Sequence, residues 1–537
     1  MNKKLSIEKI KSKPYDEYEK ENGRFVVMNA KKMCNFLYQV GEIIIWIFAI
    51  IICSMLFAFN LFYYTHIEYR INELVTIDRA SILYVLGVPL LILGFMCISR
   101  ALSRFEEKKL FCVFSIIYLV MSFYWMFNIN TTLRADAAHI NNAANLAAVG
   151  DFSFLELGQD IRNHPWQLGM ITYERILGLF SKNVQLIFLM NYIGIIGINY
   201  YFWKLTDLIF KHNHFVNVNC ILLLFAFLPQ FFFGVFAYGL IPGFFCIVCG
   251  FYFQQKYFME EKLRYAIGSI CMALLAVILK GNYIIGVITM TILYLMNFFK
   301  RRQRCILILT FVILALTQIQ ESVIINFYEA ESGYELNSGE PKLLYIAMGI
   351  MPENRGMAPG WYCGYNDYTF GYADFDPVKA NEMAKESIKD SITHYVQNPG
   401  DAVDFFSKKI ASVWCDPLFQ SLWSGPLEEA NQFTNTRILK SLYHGETLEK
   451  LVSKYMKIYI LMLLVLTIIY LCYKKKYCYE LAYAYIYMIG GFLLHIVWEG
   501  KSQYVYTYIF VLIPVGAYVI SKVNQKIYIK LIEKNGK

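Results

Sequence analysis

The sequence predicts an all-α polytopic membrane protein: a bundle of about twelve transmembrane helices with interfacial helices and a long, mainly helical extracytoplasmic loop. Three observations predict it. Hydrophobic residues make up 57% of the 537 positions and charged residues only 17%, with a mean hydropathy of +0.41, which excludes a soluble domain of ordinary make-up. Twelve stretches approach or exceed the roughly 20 apolar residues that cross a bilayer. Lys and Arg fall in short clusters between those stretches, the pattern of cytoplasmic loops. That distribution also accounts for the net charge of +9 and excludes nucleic acid as a partner.

The chain opens with a hydrophilic cytoplasmic segment, 1–35, that carries Lys3, Lys4, Lys9, Lys11 and Lys13. No signal-peptide pattern can be drawn there, so the first apolar stretch serves as the targeting signal. Spans are expected at 36–62, 81–99, 109–128, 184–205, 215–231, 233–253, 264–279, 281–299, 304–322, 456–473, 477–498 and 503–521. The two long apolar blocks are split at Pro229 and at Lys280-Gly281. Threading these spans puts the N-terminus, Arg100 to Lys109, Lys204 to His214, Lys256 to Arg264, Lys300 to Arg304, Lys474 to Lys476 and the tail 522–537 on one side, the cytoplasm. The domain division is then a module 36–322 with an extracytoplasmic loop 129–183, a loop subdomain 323–455, and C-terminal helices 456–521.

Trp166 to Phe180 is too short to span and carries Glu174 and Arg175, so it is expected to lie in the interface. Pro377 to Lys409 has apolar positions at helical spacing and is expected to form two or three helices over the membrane face. Most of the thirteen Cys sit in apolar runs as small hydrophobes, Cys246 and Cys249 among them. Cys363 and Cys415 share a polar loop, where a disulfide is an open alternative to two free thiols.

This threading gathers charges at the outer membrane level, where each is costly and therefore informative. Asp136 follows the third span; it is either a functional carboxylate, a loop residue past that helix's C-terminus, or an N-cap for the Ala-rich helix after it. Lys280, between Leu279 and Gly281, either snorkels or offers a point charge to a lipid phosphate, with Asn282 adding an amide donor. Trp498, Glu499, Lys501 and Tyr504 form either an aromatic belt with a charged turn or part of a site. His139 and His164 are too few, with no clustered carboxylate evident, for a metal site. No phosphate-binding Gly-rich loop, G-x-S-x-G elbow or H-E-x-x-H helix is present, which argues against an ATP-driven pump and those hydrolases.

Four pieces of the chain together resemble GT-C fold glycosyltransferases of the bacterial group similar to family 39 protein mannosyltransferases and lipid A aminoarabinose transferases. They are Arg134-Ala135-Asp136 running on to His164-Pro165-Trp166-Gln167; Ala237-Tyr238-Gly239-Leu240-Ile241-Pro242; Lys280-Gly281-Asn282; and Met348-Gly349 with Pro359-Gly360-Trp361-Tyr362, paired with Trp498-Glu499 to Gln503-Tyr504. The chain departs from many relatives in lacking an acidic residue near Leu240 and in having Gln503 where they have Arg. The resemblance implies a bacterial plasma-membrane enzyme, both termini cytoplasmic, that moves a sugar from a polyprenyl-phosphate carrier to an extracytoplasmic glycan, lipid or protein acceptor. It implies Asp136 as the base, inversion at the anomeric carbon, and Lys280 helped by Lys501 at the lipid phosphate. Arg134, His139, His164, Gln167, Tyr238, Asn282, Glu499 and Tyr504 are the implied substrate-binding residues, with no cofactor and no obligatory metal. Trp361, Tyr362, Tyr365 and Trp414 either stack on sugar rings or simply pack. The rival class is a polysaccharide or lipid-linked sugar transporter, and a third reading is a scaffold in which Asp136 is replaceable.

Overall fold

A computed structural model describes residues 15–68, 73–425, 436–443, 445–474 and 479–535. Each of the twelve predicted apolar stretches is mainly helical over its described residues, but they are not equal. Eight helices are long and apolar enough to cross a membrane, from Lys31–Phe62 to Tyr479–Val497, or up to ten if each of two bent pairs counts as one span. The pairs are His214–Ala226 with Leu228–Val235, bent by 52°, and Ser502–Phe510 with Ile513–Lys526, bent by 41°. Of the remaining two, Leu263–Leu279 is a shorter apolar helix and Leu240–Glu260 is a helix of 21 residues. The protein is an all-α polytopic membrane protein at this level of description.

Several boundaries move for physical reasons. Pro229 does not reverse the chain; it sits in the first turn of the short helix Leu228–Phe232, where its missing N–H costs nothing. The reversal comes instead at Phe236 to Gly239, and Gly239 has φ +70°. A Cβ at Gly239 would stand 2.3 Å from the Leu279 carbonyl oxygen, so only glycine lets these two chain segments meet. The helix expected to end at 322 runs on to Ser332, and the one expected from 456 begins at Thr447. The segment after Trp166 is the 11-residue helix Leu168–Gly178, about 16 Å long, which is too short to span.

The loops sort to two ends of the bundle. At one end His214 Nδ1 lies 3.0 Å from Glu107, and the Asn217 amide donates to Glu107 at 2.9 Å and to Asp207 at 2.6 Å. Arg301 pairs with Glu261 at the same end, at 2.6 Å. The other end carries a cap. It contains a feature absent from the sequence reading, an antiparallel hairpin of Tyr63–Ile67 and Val75–Arg79, whose Thr65 N–H donates to the Cys415 carbonyl at 3.2 Å. It also contains helices Lys342–Ile350, Tyr365–Tyr372, Pro377–Gln397 and Pro399–Trp414. The last two realise the helical spacing read over 377–409; the Asp376 side chain caps the first by accepting from Val378 N and Lys379 N. Cys363 and Cys415 are free thiols.

The cap is fastened to the bundle by Lys409. Its side chain is buried, and its Nζ donates to the carbonyls of Gly349 (2.5 Å), Ile496 (3.0 Å) and Trp498 (2.8 Å). Gly360, with φ +70°, presses against the same lysine, and its carbonyl accepts from Gly500 N at 2.8 Å. The fourth motif pair of the sequence is therefore a physical contact. Lys409→Met keeps most of the volume but leaves three acceptors without their donor, at about 1–3 kcal/mol per unsatisfied group. We expect a clear drop in the thermal unfolding midpoint of the detergent-solubilised protein; an unchanged midpoint would contradict this fastening.

Candidate functional site

Asp136 lies in the first turn of helix Ala135–Ala147. Its neighbour Ala135 has φ +46°, a left-handed conformation that costs a residue with a Cβ about 1–2 kcal/mol. The capping alternative is not what the structure shows, because Arg134 is the N-cap residue and no side-chain cap bond forms. Asp136 instead lies close enough to the buried Tyr238 phenol for its charge to act on that group. Burial and then the charge of Asp136 push the Tyr238 phenol well above its usual pKa, so it stays protonated as a donor.

Lys280 sits on the same tyrosine. Its Nζ is 3.6 Å from the Tyr238 ring centroid and 5.8 Å from that of Tyr504, and it donates to the Tyr238 carbonyl at 3.4 Å. Among the described residues it forms no ion pair. Burial brings its pKa down to about 7, with Asp136 and Glu499 opposing that shift and Lys501 adding to it. The Gln167 amide reaches the Tyr238 hydroxyl at 3.5 Å. Asn282 stands two residues from Lys280 in the turn Gly281–Tyr283 and forms no bond with the cluster among the described residues.

Lys501 is differently placed. Its Nζ lies 3.1 Å from Glu73 and 4.0 Å from Glu499, so its charge is already matched by carboxylates. Burial raises the Glu499 carboxyl to about 7 even beside Lys501. The Tyr362 ring lies 5.3 Å from Lys501 Nζ, and Trp498 stacks on Tyr345 at 5.5 Å and 3°. Trp361 and Trp414 are buried and pack in the core, whereas Tyr362 is exposed.

The remaining expected residues lie beside this cluster. The Arg134 guanidinium stacks over Trp423 at 4.2 Å. His139 and His164 both engage Asp160, at 3.0 Å and 3.1 Å. Burial would raise Asp160, but the two imidazoles outweigh it and hold the carboxyl well below its usual range. His164 also faces Glu340 and Asp367. Sequence reasoning missed Glu73 and Glu340, in loops where an acidic residue looks unremarkable, and Asp367, in the first turn of the short helix Tyr365–Tyr372 where an acidic residue is ordinary.

Comparison with known proteins names no relative. No family model, no curated protein and no solved structure matches this chain. The site is defined by its own chemistry: a carboxylate near a buried phenol, an adjacent lysine without an ion-pair partner among the described residues, and a second lysine matched by Glu73 and Glu499.

The Lys501–Glu73 contact is largely shielded from solvent, with relative exposures of 15% and 7%, so breaking it strands a charge at about 3–5 kcal/mol. We expect Lys501→Met and Glu73→Gln each to destabilise strongly, and the double variant to lose clearly less than the sum. A double-mutant cycle on thermal or denaturant unfolding measures this; strict additivity would contradict the pairing.

Proposed function

We propose that this protein is a GT-C-like membrane glycosyltransferase that transfers a sugar from a polyprenyl-phosphate carrier to an extracytoplasmic cell-envelope acceptor. In this reading all twelve apolar helices are embedded in a bacterial plasma membrane, both termini are cytoplasmic, and the cap faces outward. The observation that carries the proposal is Lys280: a cation with no ion-pair partner among the described residues, held over Tyr238 beside the Asp136 carboxylate. A lipid phosphate at the membrane surface supplies the missing negative charge.

The reaction assigns one task to each group. Asp136 accepts the proton of the acceptor hydroxyl as that oxygen attacks the anomeric carbon. The bond from that carbon to the phosphate oxygen breaks, its electron pair stays on the phosphate, and Lys280 neutralises the charge that develops. Attack opposite the leaving group inverts the anomeric centre. Tyr238, a protonated phenol close to Asp136, is assigned the task of positioning the carboxylate. Lys501, matched by Glu73 and Glu499, contributes to the local field rather than a free contact, which moves the phosphate-binding role toward Lys280 alone.

Membranes carrying the protein should move radiolabelled sugar from polyprenyl-phosphate donors to envelope acceptors. Asp136→Asn should lower the rate by about 10²–10⁴-fold, the usual weight of general base catalysis. Consumption of no donor in a broad panel, or full activity of the Asn variant, would contradict the proposal and favour a carrier.

A pH dependence follows from Lys280. Its depressed pKa means that the free enzyme loses the ammonium as pH rises through about 7, so donor capture, read as kcat/KM, should fall on the alkaline side. Lys280→Arg keeps a charge at every working pH and should flatten that limb even if its overall rate is lower. An identical alkaline limb in the two proteins would contradict the role of Lys280.

A further inference from the structure

His164 is the one imidazole of the cap that three acidic residues surround among the described residues. Its Nδ1 lies 2.8 Å from the Asp160 carbonyl oxygen, which can only accept, so Nδ1 carries a proton and donates. Nε2 then presents either a lone pair or a second proton to two carboxylates. It lies 3.4 Å from Glu340 Oε2 and 3.9 Å from Asp367 Oδ1. Both separations are longer than an N–H···O hydrogen bond of about 2.7–3.2 Å.

Those separations suit a different partner. Two ligands at about 2.0–2.2 Å from a tetrahedral metal stand roughly 3.4 Å apart, which matches the Glu340 contact and leaves Asp367 about half an ångström to move. One ligand atom from each of the three residues lies within 4.8 Å of the others. A metal-bound histidine almost always donates its other ring nitrogen to a carbonyl or carboxylate, the contact that Asp160 makes here. Glu340 is fully buried at its side chain, and its Oε1 has no hydrogen-bond partner among the described residues. Its Oε2 already accepts from Tyr345 (2.9 Å) and Asn366 (2.8 Å), which orients the carboxylate toward His164.

We infer that His164, Glu340 and Asp367 form a binding site for a first-row divalent transition-metal cation, of the Zn²⁺ or Mn²⁺ type. One imidazole and two carboxylates suit such an ion, and a fourth position stays open for water. The site joins the loop that follows Asp136 to the long loop of the cap. It also reaches the cluster around Lys501, because the Tyr362 hydroxyl donates to Asp367 Oδ2 at 2.6 Å and the Tyr362 ring lies by Lys501. The metal would act as a cross-link that positions Tyr362, and the inference holds whether or not the chain transfers sugar.

The test uses the full chain, purified in detergent without a polyhistidine tag, stripped with chelator and reloaded separately with Zn²⁺, Mn²⁺ and Co²⁺. Metal analysis should give about one equivalent per chain, and the unfolding midpoint should rise on reloading. His164→Ala should lose the metal and the visible ligand-field absorption of the Co²⁺ form. Asp367→Asn, at a part-exposed position that tolerates change, should weaken binding at least tenfold while keeping the chelated wild-type midpoint. A wild-type chain that retains no stoichiometric metal, or an Asp367→Asn chain that binds as tightly as wild type, would overturn the site.

Discussion

Charges at the edge of a low-dielectric bundle must be matched or must wait for a ligand, and the Lys501–Glu73 contact is where this protein settles most of that account. Glu73 reaches Lys501 from the turn end of the hairpin, at 3.1 Å, while Glu499 lies within 4.0 Å of the same ammonium. With two carboxylates committed to one lysine, Lys280 is left in an aromatic surround, where the charges of Asp136 and Glu499 favour its ammonium. A buried ammonium in that state is costly. The arrangement is stable as protein because its pKa falls, and in the proposed function an incoming anion restores the charge.

The proposed site needs a rigid wall, and the cap supplies it through backbone contacts beside apolar packing of residues such as Trp361 and Trp414. Lys409 gathers carbonyls from Gly349, Ile496 and Trp498, and the Gly360–Gly500 bond runs alongside. The turn that carries Glu499 and Lys501 is thereby held against the long loop that carries Tyr362. On the opposite side, Gly239 lets the Tyr238 turn approach Leu279, the residue before Lys280. Two close backbone approaches thus fix the Lys501 half and the Lys280 half of the site. Tyr238 and Tyr504 bridge them through their contacts with Lys280.

Much of this was legible in the sequence because the bilayer imposes a simple rule. Apolar runs of the required length had to be helices, and Lys280 stood out because it interrupts such a run without basic neighbours. Asp136 stood out as a lone carboxylate just past a long apolar run. The Met348-Gly349 and Pro359–Tyr362 pieces were correctly associated with Trp498–Tyr504, and the reason is now visible in Lys409, a residue that reads as one more surface lysine of an amphipathic helix. What stayed hidden was pairing at long range. Glu73 and Glu340 are ordinary loop acids and Asp367 an ordinary first-turn helix acid, and only the tertiary fold brings them to Lys501 and His164. The hairpin of Tyr63–Ile67 and Val75–Arg79 was missed because two five-residue strands are too short to outweigh the helical signal on either side.

The claim on which the functional account rests is that Lys280 receives a lipid phosphate next to Asp136. The direct measurement is an electron cryomicroscopy structure of the protein in lipid nanodiscs with a polyprenyl phosphate bound. The account predicts the phosphate against Lys280 Nζ, the prenyl chain leaving along the bundle into the bilayer, and Asp136 facing the position of the sugar. A phosphate bound elsewhere, with Lys280 still closed over Tyr238, would contradict it.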